Sequence, residues 1–311
     1  MSTQDFHYAN LLSASVTQGS APTLSVSVNA SNQITNPGFS YDAAGNMLAD
    51  GSFSYTYDAE NRMKTGAGVT YTYDGDGKRV QKSNGKLYWY GMGSDPLAES
   101  DGAGNISDEY IFFGGRRIAR RHINATPPDT ITYYFADHLG TSRVVTSATG
   151  AILDDSDFYP FGGERPAITP SGGNNYKFTG KQRDSESGLD NFVARYYSSS
   201  IGRFMTPDWS AAPMGVPYAD FADPQSLNLY SYAKNRPLTY IDREGHCTEP
   251  LSFAACVVVG AAAVSTRSIS CTSGIRNGKK QKMTHFKNRS AARQAVRNAQ
   301  KEKQEHTTKN D

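Results

Sequence analysis

Cysteine is almost missing from this sequence: there are three in 311 residues, and none before Cys247. An odd number confined to the last stretch of chain excludes a disulfide framework for the rest, which must be held by strand pairing and packing. Tryptophan occurs only twice, and the six histidines show no H-x-x-H spacing, nor do the cysteines show C-x-x-C. Metal clusters of the usual spacing are thereby excluded, and no metal or cofactor is expected. Long apolar runs are lacking as well. The most apolar stretch, "LSFAACVVVGAAAV" at 251–264, falls short of the roughly 20 residues that cross a bilayer as a helix. It reads as a buried helix or strand pair, with membrane contact as the second reading. The opening "MSTQDFHYANLLSAS" has neither a basic start nor a continuous apolar run, so no classical secretory signal is read in it. A secreted or cell-surface location is expected by another route, with a cytoplasmic chain as the alternative.

Glycine, with 29 residues, and tyrosine, with 19, are plentiful. Glycine supplies positive φ in tight turns and tyrosine suits a half-buried pleated face, so the composition points to many short strands in an all-β fold. Charge is unevenly spread. Residues 1–246 carry 20 Lys and Arg against 26 Asp and Glu, whereas residues 247–311 carry 12 against 4. All the tyrosines precede Cys247, so composition and charge both change at one seam.

Three segments superimpose at a spacing of sixteen: "FSYDAAGNM" from 39, "YTYDAENRM" from 55 and "YTYDGDGKR" from 71. In each, two aromatic residues stand two apart, on one face of a strand. The aspartate that follows (Asp42, Asp58, Asp74) opens a turn by accepting backbone N–H groups, and Gly45, Asn61 and Gly77 tolerate left-handed φ. Each unit is a strand, a turn and a return strand. Looser versions begin at 87, 109, 132 and 157. The expected fold is a ribbon of antiparallel hairpins, which must wrap, close or stack to bury its aromatic face. Carbohydrate binding by exposed aromatics is the functional alternative to a purely structural role.

These repeats resemble those of the RHS/YD-repeat proteins. The blocks "DHLGTSRVVTSATG" (137–150), "FYPFGGE" (158–164), "YKFTGKQRDSESGLDNFVARYYSSSIGRFMTPDW" (176–209) and "NLYSYAKNRPLTYIDREGH" (228–246) are similar to the family's RHS repeat-associated core domain. The resemblance implies a partial RHS shell: a spiralling β-sheet that encloses a variable C-terminal polypeptide, often a toxin. It also implies an aspartyl autoprotease that releases that polypeptide. Such hydrolysis needs one ionised aspartate to activate water and one protonated aspartate to polarise the carbonyl.

The family's first motif matches Gly202-Arg203-Phe204 and places its aspartate at Asp208, followed here by Trp209 where the motif has proline; Asp223 before Pro224 competes for that role. Arg203 is the supporting charge, with a structural salt bridge as its alternative. The second motif matches Asn235-Arg236-Pro237-Leu238 and places its aspartate at Asp242, with Gly245 retained and His246 in place of leucine. The implied scissile bond joins His246 to Cys247, and residues 209–227 lengthen the interval between the two aspartates.

The expected organisation is a flexible N-terminal segment (1–34), YD repeats and core (35–246), and a variable tip (247–311). In the tip, Ala292, Ala295, Val296 and Ala299 stand at helical spacing among basic residues, which predicts a basic helix in a short, mostly helical tail. A solvated charged helix explains it more simply than nucleic-acid binding. The expected partners are the chain's own tip, further shell subunits or a secretion apparatus, and, in a second reading, carbohydrate or protein on a noncatalytic adhesion module.

Overall fold

A computed structural model describes residues 2–7, 10–16, 21–168, 173–210, 216–218, 220–246 and 248–250. The described chain is antiparallel β-structure with three short 3-10 turns and no α-helix. The apolar segment, the basic helix and Cys247 lie outside the described residues.

The principal element is a twelve-stranded meander running from Tyr55–Tyr57 to Glu164–Ile168, each strand pairing with its sequence neighbours. A two-stranded hairpin of Phe39–Tyr41 and Met47–Asp50 precedes it. The repeat chemistry accounts for both. Asp42 Oδ1 accepts the N–H groups of Ala44 and Asn46 at 2.9 and 2.8 Å. Asp58 accepts those of Glu60 and Arg62, both at 2.9 Å, and Asp74 those of Asp76 and Lys78 at 2.9 and 2.8 Å. Gly45 and Gly77 take φ of 88° and 79° in these turns, and Asn61 takes 59°.

The two tyrosines of a repeat do different work. The first ring points into the core: Tyr55, Tyr71 and Tyr88 are buried. The second ties its strand to the preceding unit, because its hydroxyl donates to the first carbonyl of the previous return strand. Tyr57 bonds Met47 at 2.9 Å, Tyr73 bonds Met63 at 2.7 Å and Tyr90 bonds Arg79 at 2.8 Å. The register shifts just before each of these tyrosines, at Thr56/Tyr57, Thr72/Tyr73 and Trp89/Tyr90. A bulge there increases local twist, so a bulge in every unit coils the ribbon.

The segment after the meander runs back along its buried face, from late strands to early ones. Lys177 reaches Asp154 at 3.0 Å, Tyr176 bonds Glu99 at 2.9 Å, and Asp184 meets Arg79 at 2.5 Å and Lys82 at 3.1 Å. Tyr196 stacks on Tyr71, with ring centroids 5.4 Å apart, and the Met47 N–H donates to the Met205 carbonyl at 2.9 Å. The segment forms its own four-stranded sheet of Gln182–Arg183, Asp190–Asn191, Tyr196–Ser198 and Arg203–Phe204. Phe178, Phe192, Tyr197, Phe204 and Tyr232 cluster there as an aromatic core.

The N-terminal segment carries strands of its own. Ser2–His7, Asn10–Val16 and Leu24–Ser25 form a three-stranded sheet. Buried Asn10 anchors it, accepting from Arg203 Nη2 at 2.5 Å and from Asn228 at 2.8 Å, and donating to Asn32 at 2.8 Å.

Candidate active site

Asp242 ends the strand Tyr240–Asp242, which pairs with Thr248–Pro250. The implied scissile bond therefore falls, in sequence, between these two strands. Asp242 Oδ1 organises the turn by accepting the N–H groups of Glu244 at 3.2 Å, Gly245 at 2.7 Å and His246 at 3.2 Å. Gly245 takes φ of 84°. A Cβ there would stand 2.8 Å from the Phe192 carbonyl oxygen and 3.0 Å from the Arg195 nitrogen. Glycine is thus required both for the backbone conformation and for the close approach of the neighbouring segment.

Asp208 follows the strand Arg203–Phe204 and is placed by its N–H, which donates to the Leu229 carbonyl at 2.9 Å. One arginine joins the two carboxylates. Arg195 Nη2 lies 3.1 Å from Asp208 Oδ2 and 3.5 Å from Asp242 Oδ2. Its Nη1 donates to the Leu229 carbonyl at 2.8 Å, its Nε donates to the Gly245 carbonyl, and its guanidinium lies 3.7 Å over the Phe204 ring. His246 completes the group: its Nδ1 lies 2.7 Å from Asp208 Oδ1. The residue before the implied cut thus touches Asp208 through its side chain and Asp242 through its backbone.

Burial pushes the Asp242 carboxyl up to about 6. Arg195 opposes that rise and the charge of Asp208 adds to it, while the Gly245 N–H and His246 lower it. On its other side Asp242 borders a cavity of about 500 Å³, which Arg117, Tyr134, Tyr176, Lys181 and Arg243 also line.

The sequence-derived pair is brought together, but Arg203 is not beside it. Its guanidinium bonds the Asn32 carbonyl at 2.8 Å and Asn10, and lies 5.0 Å from the centre of the Tyr230 ring. The arginine at the carboxylates is Arg195, which sequence reasoning missed. It stands inside the quoted 176–209 block, yet nothing in local spacing sets it apart from Arg183 or Arg203. Asp223, the competing aspartate, caps the turn Pro224–Leu227 and pairs with Lys234 at 3.2 Å.

A sequential antiparallel ribbon whose closing segment packs along its inner face defines an RHS/Tc-toxin-like β-shell fold. No protein-family model matches the chain. Among curated proteins it is 30% identical over 249 residues to the tRNA nuclease WapA of Bacillus subtilis (strain 168), which covers 74% of this chain and 10% of that protein. It is 27% identical over 121 residues to the toxin subunit YenC1 of Yersinia entomophaga, covering 38% of this chain and 11% of that one. The chain thus spans about a tenth of the length of these relatives. Among solved structures, the TcdB2–TccC3 complex matches with a TM-score of 0.59 at 19% identity, covering 78% of this chain and 13% of that one. The Tc holotoxin pore of Photorhabdus luminescens matches with a TM-score of 0.60 at 20% identity, covering 79% and 13%. The likeness to these solved structures shows a shared fold.

Proposed function

We propose that this chain is the core of a toxin-related β-shell that presents a variable C-terminal tip and releases it by aspartyl autoproteolysis after His246. The observation that carries this reading is the contact of His246 with both carboxylates, Asp208 at 2.7 Å and Asp242 at 3.2 Å. Asp208, paired with Arg195, is the base that takes a proton from water as the water oxygen attacks the His246 carbonyl carbon. Asp242, whose carboxyl burial raises to about 6, gives its proton to the carbonyl oxygen. As the tetrahedral intermediate collapses, Asp208 gives the proton it took to the leaving nitrogen and Asp242 recovers a proton from a hydroxyl of the diol; the C–N bond breaks, leaving the His246 carboxylic acid and the Cys247 amine. The cavity beside Asp242 has room for the attacking water.

The domain division at 246/247 belongs to the same reading, as do the partners (the chain's own tip and further shell subunits) and a secreted or cell-surface location. The test is a denaturing gel of the purified chain. Wild type yields a small C-terminal fragment, and Asp208→Asn and Asp242→Asn each abolish it; persistent full-length wild type overturns autoproteolysis. Growth arrest on expressing residues 247–311 alone identifies the tip as a toxin.

A noncatalytic adhesion module is a second reading, supported by one feature of the outer face. Ile111, Ala119, Tyr133, Thr146 and Ile152 are cross-strand neighbours over five strands, and Ile111, Tyr133 and Ile152 are exposed. Such a ladder suits carbohydrate or protein contact. Glycan-array binding that Tyr133→Ala removes is the expected result for that reading.

A further inference from the structure

We infer that Asp208, Trp209 and Tyr218 form a seat selective for histidine at position 246, so that the residue before the cut supplies a positioning group to the site that cuts it. This inference rests on the autoproteolysis reading and names its side-chain specificity.

Asp208 Oδ1 accepts from His246 Nδ1 at 2.7 Å and from the Trp209 N–H at 2.9 Å, while Oδ2 faces Arg195 at 3.1 Å. The seat takes the imidazole tautomer with its proton on Nδ1, which donates to the Asp208 oxygen. The imidazole stands edge-on to the Trp209 indole at 4.8 Å and tilted against the Tyr218 ring at 5.6 Å. Its side chain is 9% exposed, so the ring is enclosed rather than laid on the surface. The charged groups around it are Asp208 and, through the backbone, Asp242, with Arg195 behind both.

Three departures from the family's pattern meet at this one ring. Leucine at 246 has no donor for Asp208 Oδ1. Proline at 209 has no N–H, so it would remove the second donor to the same oxygen. Tyr218 comes from the stretch that lengthens the interval between the aspartates. A buried acceptor left short of a donor is costly, which is how a polar seat rejects an apolar occupant. Asparagine keeps a donor near the position of Nδ1 but lacks the ring.

The test uses the full chain, isolated uncut in denaturant, refolded, and followed on gels. His246→Leu and His246→Phe are expected to slow fragment release about tenfold or more, and His246→Asn to recover part of that loss. A wild-type rate for His246→Leu and His246→Phe overturns the seat while leaving autoproteolysis standing.

A second measurement does not depend on cutting. In the Asp242→Asn chain, ¹⁵N–¹H spectra are expected to show a His246 Nδ1–H proton slow to exchange, which disappears on adding Asp208→Ala. Its absence before that change overturns the seat whether or not wild type cuts. Its presence in a chain whose wild type stays whole sustains the seat and sinks the autoproteolysis reading instead.

Discussion

Gly245 shows how little room the candidate site leaves. Its positive φ and the 2.8 Å at which a Cβ would meet the Phe192 carbonyl oxygen mean that alanine must both strain the backbone and push the hairpin off the segment carrying Arg195. Gly245→Ala is expected to destabilise the chain by about 1–3 kcal/mol, measured by urea unfolding, and to slow fragment release. The Asp242 carboxyl makes a second residue-scale prediction. With its value near 6, it is protonated below that pH and loses its proton above it. If Asp242 is the acid, the rate of release on refolding falls as pH rises through about 6; a rate that climbs through the same window reverses the assignment of acid and base. Both aspartates were singled out in the sequence because each sits in a motif with neighbours of fixed type. Arg195 was not, since its role comes from a fold that brings positions 195, 208 and 242 together. Arg203 drew attention through its motif, and its surroundings prove to be the N-terminal sheet.

At the scale of elements, the sixteen-residue spacing made the ribbon legible, because turn-forming aspartates and paired aromatics are local signals. The division of labour between the two tyrosines was not, because the hydroxyl bond links one unit to the unit before it. Tyr57→Phe and Tyr73→Phe each remove one hydroxyl-to-carbonyl bond and leave the ring. Each is expected to cost about 0.5–1.5 kcal/mol, and the pair to add, since they tie different unit boundaries. Urea unfolding of the single and double variants checks this, and a double variant no weaker than either single would deny the link. The N-terminal sheet escaped the sequence reading for a related reason. Its anchor is one polar side chain, Asn10, whose partners Arg203 and Asn228 lie far along the chain.

At the scale of the whole described ribbon, its hold on the closing segment runs through buried charge as well as aromatic packing. Asp184 is enclosed with Arg79 and Lys82, all with side chains at most 5% exposed. Burial opposes its ionisation, but the two cations overcome that and hold its carboxyl below the ordinary value. A depressed carboxyl contributes stability above its unfolded value near 4 and loses it as pH falls through the folded one. Wild type should therefore weaken on acidification below about pH 4 through this group, and Asp184→Asn should lack that component. At neutral pH Asp184→Asn leaves buried Arg79 without its carboxylate partner, while Lys82 keeps Glu186 at 2.6 Å, and is expected to cost about 3–5 kcal/mol. The loss should reach the candidate site, because Arg79 also bonds the Tyr196 hydroxyl at 2.6 Å, and Tyr196 directly follows Arg195. Fragment release should slow in Asp184→Asn although Asp208, Asp242 and His246 are untouched, and trypsin should cut the closing segment sooner. Slower release with unchanged trypsin resistance would place the coupling in Arg79 and Tyr196 alone, whereas unchanged release would mean that the site is held independently of the ribbon's charged core.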